Sequence, residues 1–219
     1  MNILFDFSLP GLGGRVKQNL RSVKMGGMPR LTPRTRDARR QQILAAAQRC
    51  FTRNGFQATS MQDIFAEAGL SAGSVYSHFT GKDEIITAIA DDVIDTITAT
   101  AGAALPGGEP PAPDQALEAV LAALQQADIA PIAVIIWGEA IRDPALSQRL
   151  SALYRHLADH FTTLVRLSQA HGTTDPATPA EHTALVLTAL GPAFLHQLAF
   201  GPGIDAPTFT QGLRALIRD

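Results

Sequence analysis

The stretch from Ser60 to Lys82 limits what this chain can fold into more than any other. Ser60 followed three residues later by Asp63 reads as a capping box, starting a helix through Ile64 and Phe65. Gly69 closes that helix, because glycine takes the left-handed conformation of a tight turn without steric cost. Ser71 then supplies an N-cap oxygen to a second helix, expected over residues 72–79. A connection as short as Gly69-Leu70-Ser71 implies near-perpendicular packing of the two helices. Val75 and Phe79, four apart, should point inward and leave Ser74, Tyr76, Ser77 and His78 on the more exposed faces. The small residues Ala72, Gly73 and Ser74 let the second helix approach a phosphate-lined groove closely. Two packed core helices would show the same spacing. The cap–turn–cap order and the basic helix before it favour nucleic acid.

Around this stretch the apolar residues recur with a helical period. Ile43, Leu44, Ala47 and Phe51 line one side of a helix that begins near Thr35 and stops at Asn54-Gly55, while Arg39, Arg40, Gln48 and Arg49 lie elsewhere on its wheel. A longer helix opens at Thr80-Gly81-Lys82-Asp83, carries Ile85, Ile89 and Val93, and should end near residue 99. Residues 102–113 (GAALPGGEPPAP) have the composition of a linker. Helical segments are expected at 114–127, 129–142, 144–170, 179–200 and 207–218, and no alternating strand pattern is present. The expected fold class is all-α: an N-terminal three-helix helix–turn–helix domain and a larger C-terminal helical domain for ligand binding and dimerisation. The expected divisions are a flexible extension over 1–33, a DNA-binding domain over 34–98 and the C-terminal domain over 99–219.

Charge separates the same two parts. The first 80 residues carry eleven Lys and Arg against four acids, and the remainder seven against sixteen, so a formal net charge of −2 hides a basic end and an acidic one. A basic end suggests a polyanionic partner. A hydrophobic share of 46% excludes wholesale disorder, and one cysteine excludes both a disulfide framework and a cysteine-rich zinc module. The longest dense apolar stretch, 184–195, is interrupted by Thr188, Gly191 and Pro192, and the N-terminus lacks the basic region of a signal peptide. A cytoplasmic protein without a membrane partner is expected.

The text GFQATSMQDIFAEAGLSAGSVYSHFTGKDEIITAIA resembles the DNA-binding segment of TetR/AcrR-family transcriptional regulators. The resemblance rests on Gly55-Phe56, Thr59-Ser60, Ile64, Glu67-Ala68-Gly69, Leu70-Ser71, Gly73, Val75-Tyr76, His78-Phe79 and Lys82-Asp83-Glu84, and extends from about Arg39 to Ile89. It implies DNA contacts from Ser60, Ala72, Gly73, Tyr76, Ser77, His78 and Lys82; Ser71 and Ser74 join them from the reading of the caps and faces. Two residues depart from the family pattern. Ala72 stands where many members carry Lys or Arg, and Phe65 replaces a small alanine.

For the C-terminal part, the resemblance implies an effector pocket between helices. Trp137, Tyr154, Phe161 and Phe194 are its candidate lining, with Glu139 or a histidine as a polar anchor. Plain core is the competing reading of each. Residues 179–200 are so apolar that one subunit hardly covers them, which suggests a two-fold interface through Leu187, Leu190, Phe194, Leu198, Phe209 and Leu213. Gly69-Leu70-Ser71-Ala72-Gly73 matches a hydrolase elbow formally, but a helix precedes it where that chemistry needs a strand. Cys50 reads as a small core residue. His156 and His160 share a helical face without a third ligand, so no metal and no cofactor are expected. The function expected is a homodimeric, ligand-released repressor of a near-palindromic DNA operator, not an enzyme. A protein- or small-molecule-binding module with a degenerate helix–turn–helix, or a helical enzyme, are the alternatives.

Overall fold

Every stretch with helical apolar spacing folds as a helix. The described residues of this computed structural model, 33–103, 111–201 and 203–217, form nine helices and contain no strand. Helices α1 (Pro33–Asn54), α2 (Met61–Ala68) and α3 (Ala72–Tyr76) make the N-terminal unit, and α4 (Lys82–Ala103) leads out of it. The larger body consists of α5 (Pro113–Gln126), α6 (Ala130–Ala140), α7 (Pro144–Ala170), α8 (Ala180–Phe200) and α9 (Ala206–Ile217). The extension expected over 1–33, up to residue 32, and linker residues 104–110 lie outside the described residues.

The core follows from the periodicity. Ile43, Leu44, Ala47 and Phe51 of α1 are buried together with Ile64 of α2 and Val75 of α3. Phe51 and Phe56 meet with ring centroids 5.1 Å apart. Ile85 and Ile89 of α4 join the same apolar cluster, which continues without a break through α5, α6, α7 and α8. In the body α7 packs chiefly on α8 and α5 on α9, while α4 touches α1, α5, α6 and α7. An ion-pair cluster fastens α9 to α5: Arg214 donates to Asp114 at 2.5 Å and to Glu118 at 3.0 Å, and the Thr210 hydroxyl donates to Glu118 at 2.7 Å.

One expectation about element extent needs correction. The second helix of the helix–turn–helix ends at Tyr76 and not at residue 79, because the Val75 carbonyl accepts from both His78 and Phe79 in a closing turn that buries the Phe79 ring. Thr188, Gly191 and Pro192 do not end the helix that holds them, since α8 continues through Pro192 to Phe200. Among the described residues α8 is the one helix long and apolar enough by composition to cross a membrane, even with its apolar run interrupted at those three residues. One side of it, with Ala184, Leu187, Thr188 and Leu195, is nevertheless built into the core.

If Phe51 anchors the shared core, Phe51→Ala should destabilise the protein by about 3–5 kcal/mol in urea denaturation. Ile141→Ala, at a side chain 88% exposed, should stay within about 0.5 kcal/mol.

Candidate nucleic-acid interface and ligand cavity

The helix–turn–helix forms through its local hydrogen bonds. The Ser60 hydroxyl oxygen accepts from the Asp63 amide at 3.2 Å, while the Asp63 carboxylate accepts from the Ser60 amide at 2.8 Å and hydroxyl at 2.7 Å. The Ser60 backbone and side-chain hydrogen bonds hold the Asp63 carboxyl below its ordinary value. Gly69 sits at φ 63°, where α2 ends and its amide bonds back to Ala66 at 3.2 Å. The Gln42 side-chain amide donates to the freed Ala68 carbonyl at 2.8 Å. Ser71 caps α3, accepting from the Ser74 amide at 3.3 Å.

The resulting surface matches the expectation in part. Ser60, Ser71, Ala72, Gly73 and Ser77 are exposed, Tyr76 is 51% exposed, and Ser74 and His78 are half-buried. The Ser77 hydroxyl donates to the Ser74 carbonyl at 2.7 Å, leaving its oxygen to accept. Phe65, the departure from the family pattern, meets Tyr76 edge-on with centroids 5.4 Å apart and so fixes the inclination of the exposed ring. Burial first, and then the charges of Arg36, Arg39 and Arg40, hold the His78 imidazole below its ordinary value. Those arginines of α1 therefore stand beside the end of the helix–turn–helix and give its rim positive charge.

Lys82 departs from the expectation. Its ammonium donates to the carbonyls of Phe56, Gln57 and Thr59 at 3.1, 3.1 and 3.3 Å, and lies 4.7 Å from the centre of the Phe56 ring. Three donors meet three acceptors, so this lysine ties the start of α4 to the loop before α2 and is not free for a phosphate. Several supports escaped the sequence reading. Glu67 accepts from Arg49 at 2.7 Å and Arg53 at 3.2 Å, fastening α2 to α1. Glu84 accepts from the Thr80 amide at 2.7 Å and hydroxyl at 2.8 Å, a cap whose only sequence signal was the four-residue spacing.

Above this unit a narrow cavity of about 40 Å³ opens between α4, α5, α6, α7 and α8. Trp137, Tyr154 and Phe161 line it, as expected, alongside Val93 and Ile97 of α4 and Thr188 of α8. Burial pushes the Tyr154 phenol up, with the Trp137 side chain, hydrogen-bonded to it, acting the other way. Glu139 and Phe194 are not part of this lining. Glu139 faces the N-terminal unit, where its carboxylate accepts from the Gln57 side-chain amide at 2.9 Å. Phe194 is fully buried against Phe209 of α9, centroids 5.3 Å apart. No histidine lines the cavity, and His156 is exposed. No cluster among the described residues has the composition of a metal site.

Of the residues expected at a dimer interface, Phe194 and Leu187 are buried within this chain, and Leu187 lines the cavity. Leu190, Leu198, Phe209 and Leu213 are only partly covered and pack against the core. The apolar side chains that α8 presents outward are Leu185 (67% exposed), Val186, Ala189, Ala193 and Phe200 (69%), among the exposed polar His182, His196 and Gln197, with Leu216 exposed on α9.

Residues 43–89 match the family described as bacterial regulatory proteins, tetR family. The chain is 27% identical over 179 residues to the HTH-type transcriptional regulator UidR of Escherichia coli strain K12, covering 81% of this chain and 90% of that protein. It is 37% identical over 67 residues to the HTH-type transcriptional regulator YfiR of Bacillus subtilis strain 168, a match spanning 31% of this chain and only 33% of that one. Among solved structures it resembles Salmonella enterica GusR with a TM-score of 0.66 and 26% identity, over 82% of this chain and 93% of that one.

Two histidines held below their ordinary pKa give stability a direction with pH. Burial acts first on His160 as on His78, then the charge of His156, while a bond involving the Ala101 backbone opposes them. The unfolded chain then binds more protons below about pH 6.5, so stability present above that value is lost as pH falls toward the folded-state pKa. The urea midpoint should drop between about pH 7.5 and about pH 5.5, and His160→Gln should flatten that slope. An unchanged slope in His160→Gln would remove this histidine from the account.

Proposed function

This chain belongs to the TetR family of helix–turn–helix, DNA-binding transcriptional regulators, and we propose that it acts as a homodimeric repressor of a near-palindromic operator, released by a small apolar or amphipathic effector. In this reading α3 enters the major groove and offers Ser71, Ala72, Gly73, Ser74, Tyr76, Ser77 and His78, with Ser60 at the cap of α2. Arg34, Arg36 and Arg39 at the start of α1 face the phosphates. Lys82 positions the loop without touching DNA. The partner subunit docks on the outward face of α8, through Leu185, Val186, Ala189, Ala193 and Phe200, with Leu216 of α9. The cytoplasm is the compartment such a regulator needs.

What supports the switch above all is the reach of α4. Its middle supplies cavity walls at Ala90, Val93, Ile94 and Ile97, and its first residue holds the Phe56–Thr59 carbonyls ahead of α2. A second connection runs along α6, where Trp137 lines the cavity and Glu139, two residues on, bonds Gln57 of the same loop. A ligand larger than the narrow cavity must part these walls, and the displacement passes along both helices to the loop that carries α2 and α3. Release follows only if the ligand prefers the parted state, since a ligand binding both states equally shifts nothing. The lining contains no carboxylate, histidine or cysteine, which favours binding over catalysis there.

Selection from random-sequence DNA should return a near-palindrome with half-sites about one helical turn apart or a multiple of it. Affinity for it should fall by roughly 10³ or more between about 50 and about 200 mM salt, as expected for six or more phosphate contacts. Leu185→Glu combined with Phe200→Glu should give a folded monomer in sedimentation, with operator affinity at least about 100-fold lower. A double variant that stays dimeric would move the interface elsewhere.

A further inference from the structure

The cavity has a short polar inventory, and its chemistry defines what it can hold. None of its lining side chains is charged. Its polar side chains are Tyr154, Trp137 and Thr188, and the Thr188 hydroxyl already donates to the Ala184 carbonyl at 2.8 Å. The Trp137 indole is hydrogen-bonded to Tyr154; as an indole N–H can only donate, the phenol keeps its own proton to give. Pro192 adds an acceptor. Proline has no amide hydrogen, so the Thr188 carbonyl four residues earlier lacks the helical bond it would receive from any other residue there. Thr188 and Pro192 both line the cavity. The residue that carries this acceptor and the tyrosine whose phenol keeps its proton thus line the same apolar space.

We infer that the cavity takes an uncharged, largely hydrocarbon molecule bearing a single hydroxyl group, which donates to the Thr188 carbonyl and accepts from the Tyr154 phenol. This rests on the effector-pocket reading above. A hydroxyl satisfies both groups at once, whereas an ether only accepts. A carboxylate meets no cation, and a quaternary ammonium finds aromatic rings but no counter-charge. An ion buried without a partner is far costlier than a neutral group. The narrowness of the space, about 40 Å³, favours a thin chain that wedges the helices apart.

Trp137, the single tryptophan of the chain, reports occupancy directly through its fluorescence, whether or not DNA is present. The full chain is titrated with 1-octanol, octyl methyl ether, octanoate and octyltrimethylammonium. Octanol should saturate the emission change, the ether should bind about 5- to 10-fold more weakly for its missing hydrogen bond, and both ions at least about 100-fold more weakly. Pro192→Ala restores the amide that satisfies the Thr188 carbonyl, so octanol should weaken to the level of the ether while the ether is unchanged. Tyr154→Phe provides a second variant of nearly the same shape, and it too should erase most of the preference for the alcohol. The inference is overturned if octanol gives no saturable change, if either ion binds within about tenfold of it, or if both variants retain the preference. Octanol that binds as described but leaves operator DNA bound supports the hydroxyl site and defeats ligand release instead.

Discussion

The Lys82 ammonium holds three backbone carbonyls, those of Phe56, Gln57 and Thr59, and the placement of the helix–turn–helix depends on that grip. Of these acceptors the Phe56 carbonyl also receives the Thr59 amide at 3.3 Å. Without the lysine, those of Gln57 and Thr59 would turn to water, and the start of α4 would lose its tie to the loop before α2. Charge-assisted bonds of this kind are worth more than neutral ones, and the Phe56 ring 4.7 Å away shields the ammonium on one side. The Gln57–Glu139 bond grips the same loop from α6. Two helices that wall the cavity, α4 and α6, therefore both bond the six-residue loop ahead of α2.

Interactions that close within about four residues were largely legible in the sequence, the Thr80–Glu84 cap being an exception. The caps at Ser60 and Ser71 and the turn at Gly69 each satisfy backbone groups next to them, so spacing alone identifies them. Partners distant in the chain were not. Lys82 reads as a free cation until its acceptors, 23 to 26 residues earlier, are brought beneath it. Glu139 reads as a pocket anchor until folding delivers Gln57, 82 residues away. Both are polar groups seeking partners, and only the packing of α1, α4 and α6 decides which partner each one meets.

The misplacement on α8 has a different cause. A helix apolar on nearly every side carries no amphipathic signal, so periodicity cannot tell which side faces its own core and which faces outward. Phe194 and Leu187 turn inward because α9 and the cavity cover them, leaving Leu185, Val186 and Phe200 outside. Phe65 shows the opposite situation. It departs from the family pattern in sequence, yet its consequence is local and direct, a ring set against Tyr76 on the exposed face of the helix–turn–helix.

Those two sides of α8 make one helix answer to two environments. Its inner side brings Thr188, Gly191, Pro192 and Leu195 to the cavity, while its outer side presents an apolar stripe that water covers poorly. Pro192 stands where both meet, removing one helical bond at the cavity wall. A helix weakened there yields more readily to a ligand pressing from within than an unbroken one would. In the proposed dimer a second subunit on the outer stripe would oppose outward displacement, leaving α7, or α4 and α6 across the cavity, to move, and the latter two are the helices that grip the loop before α2.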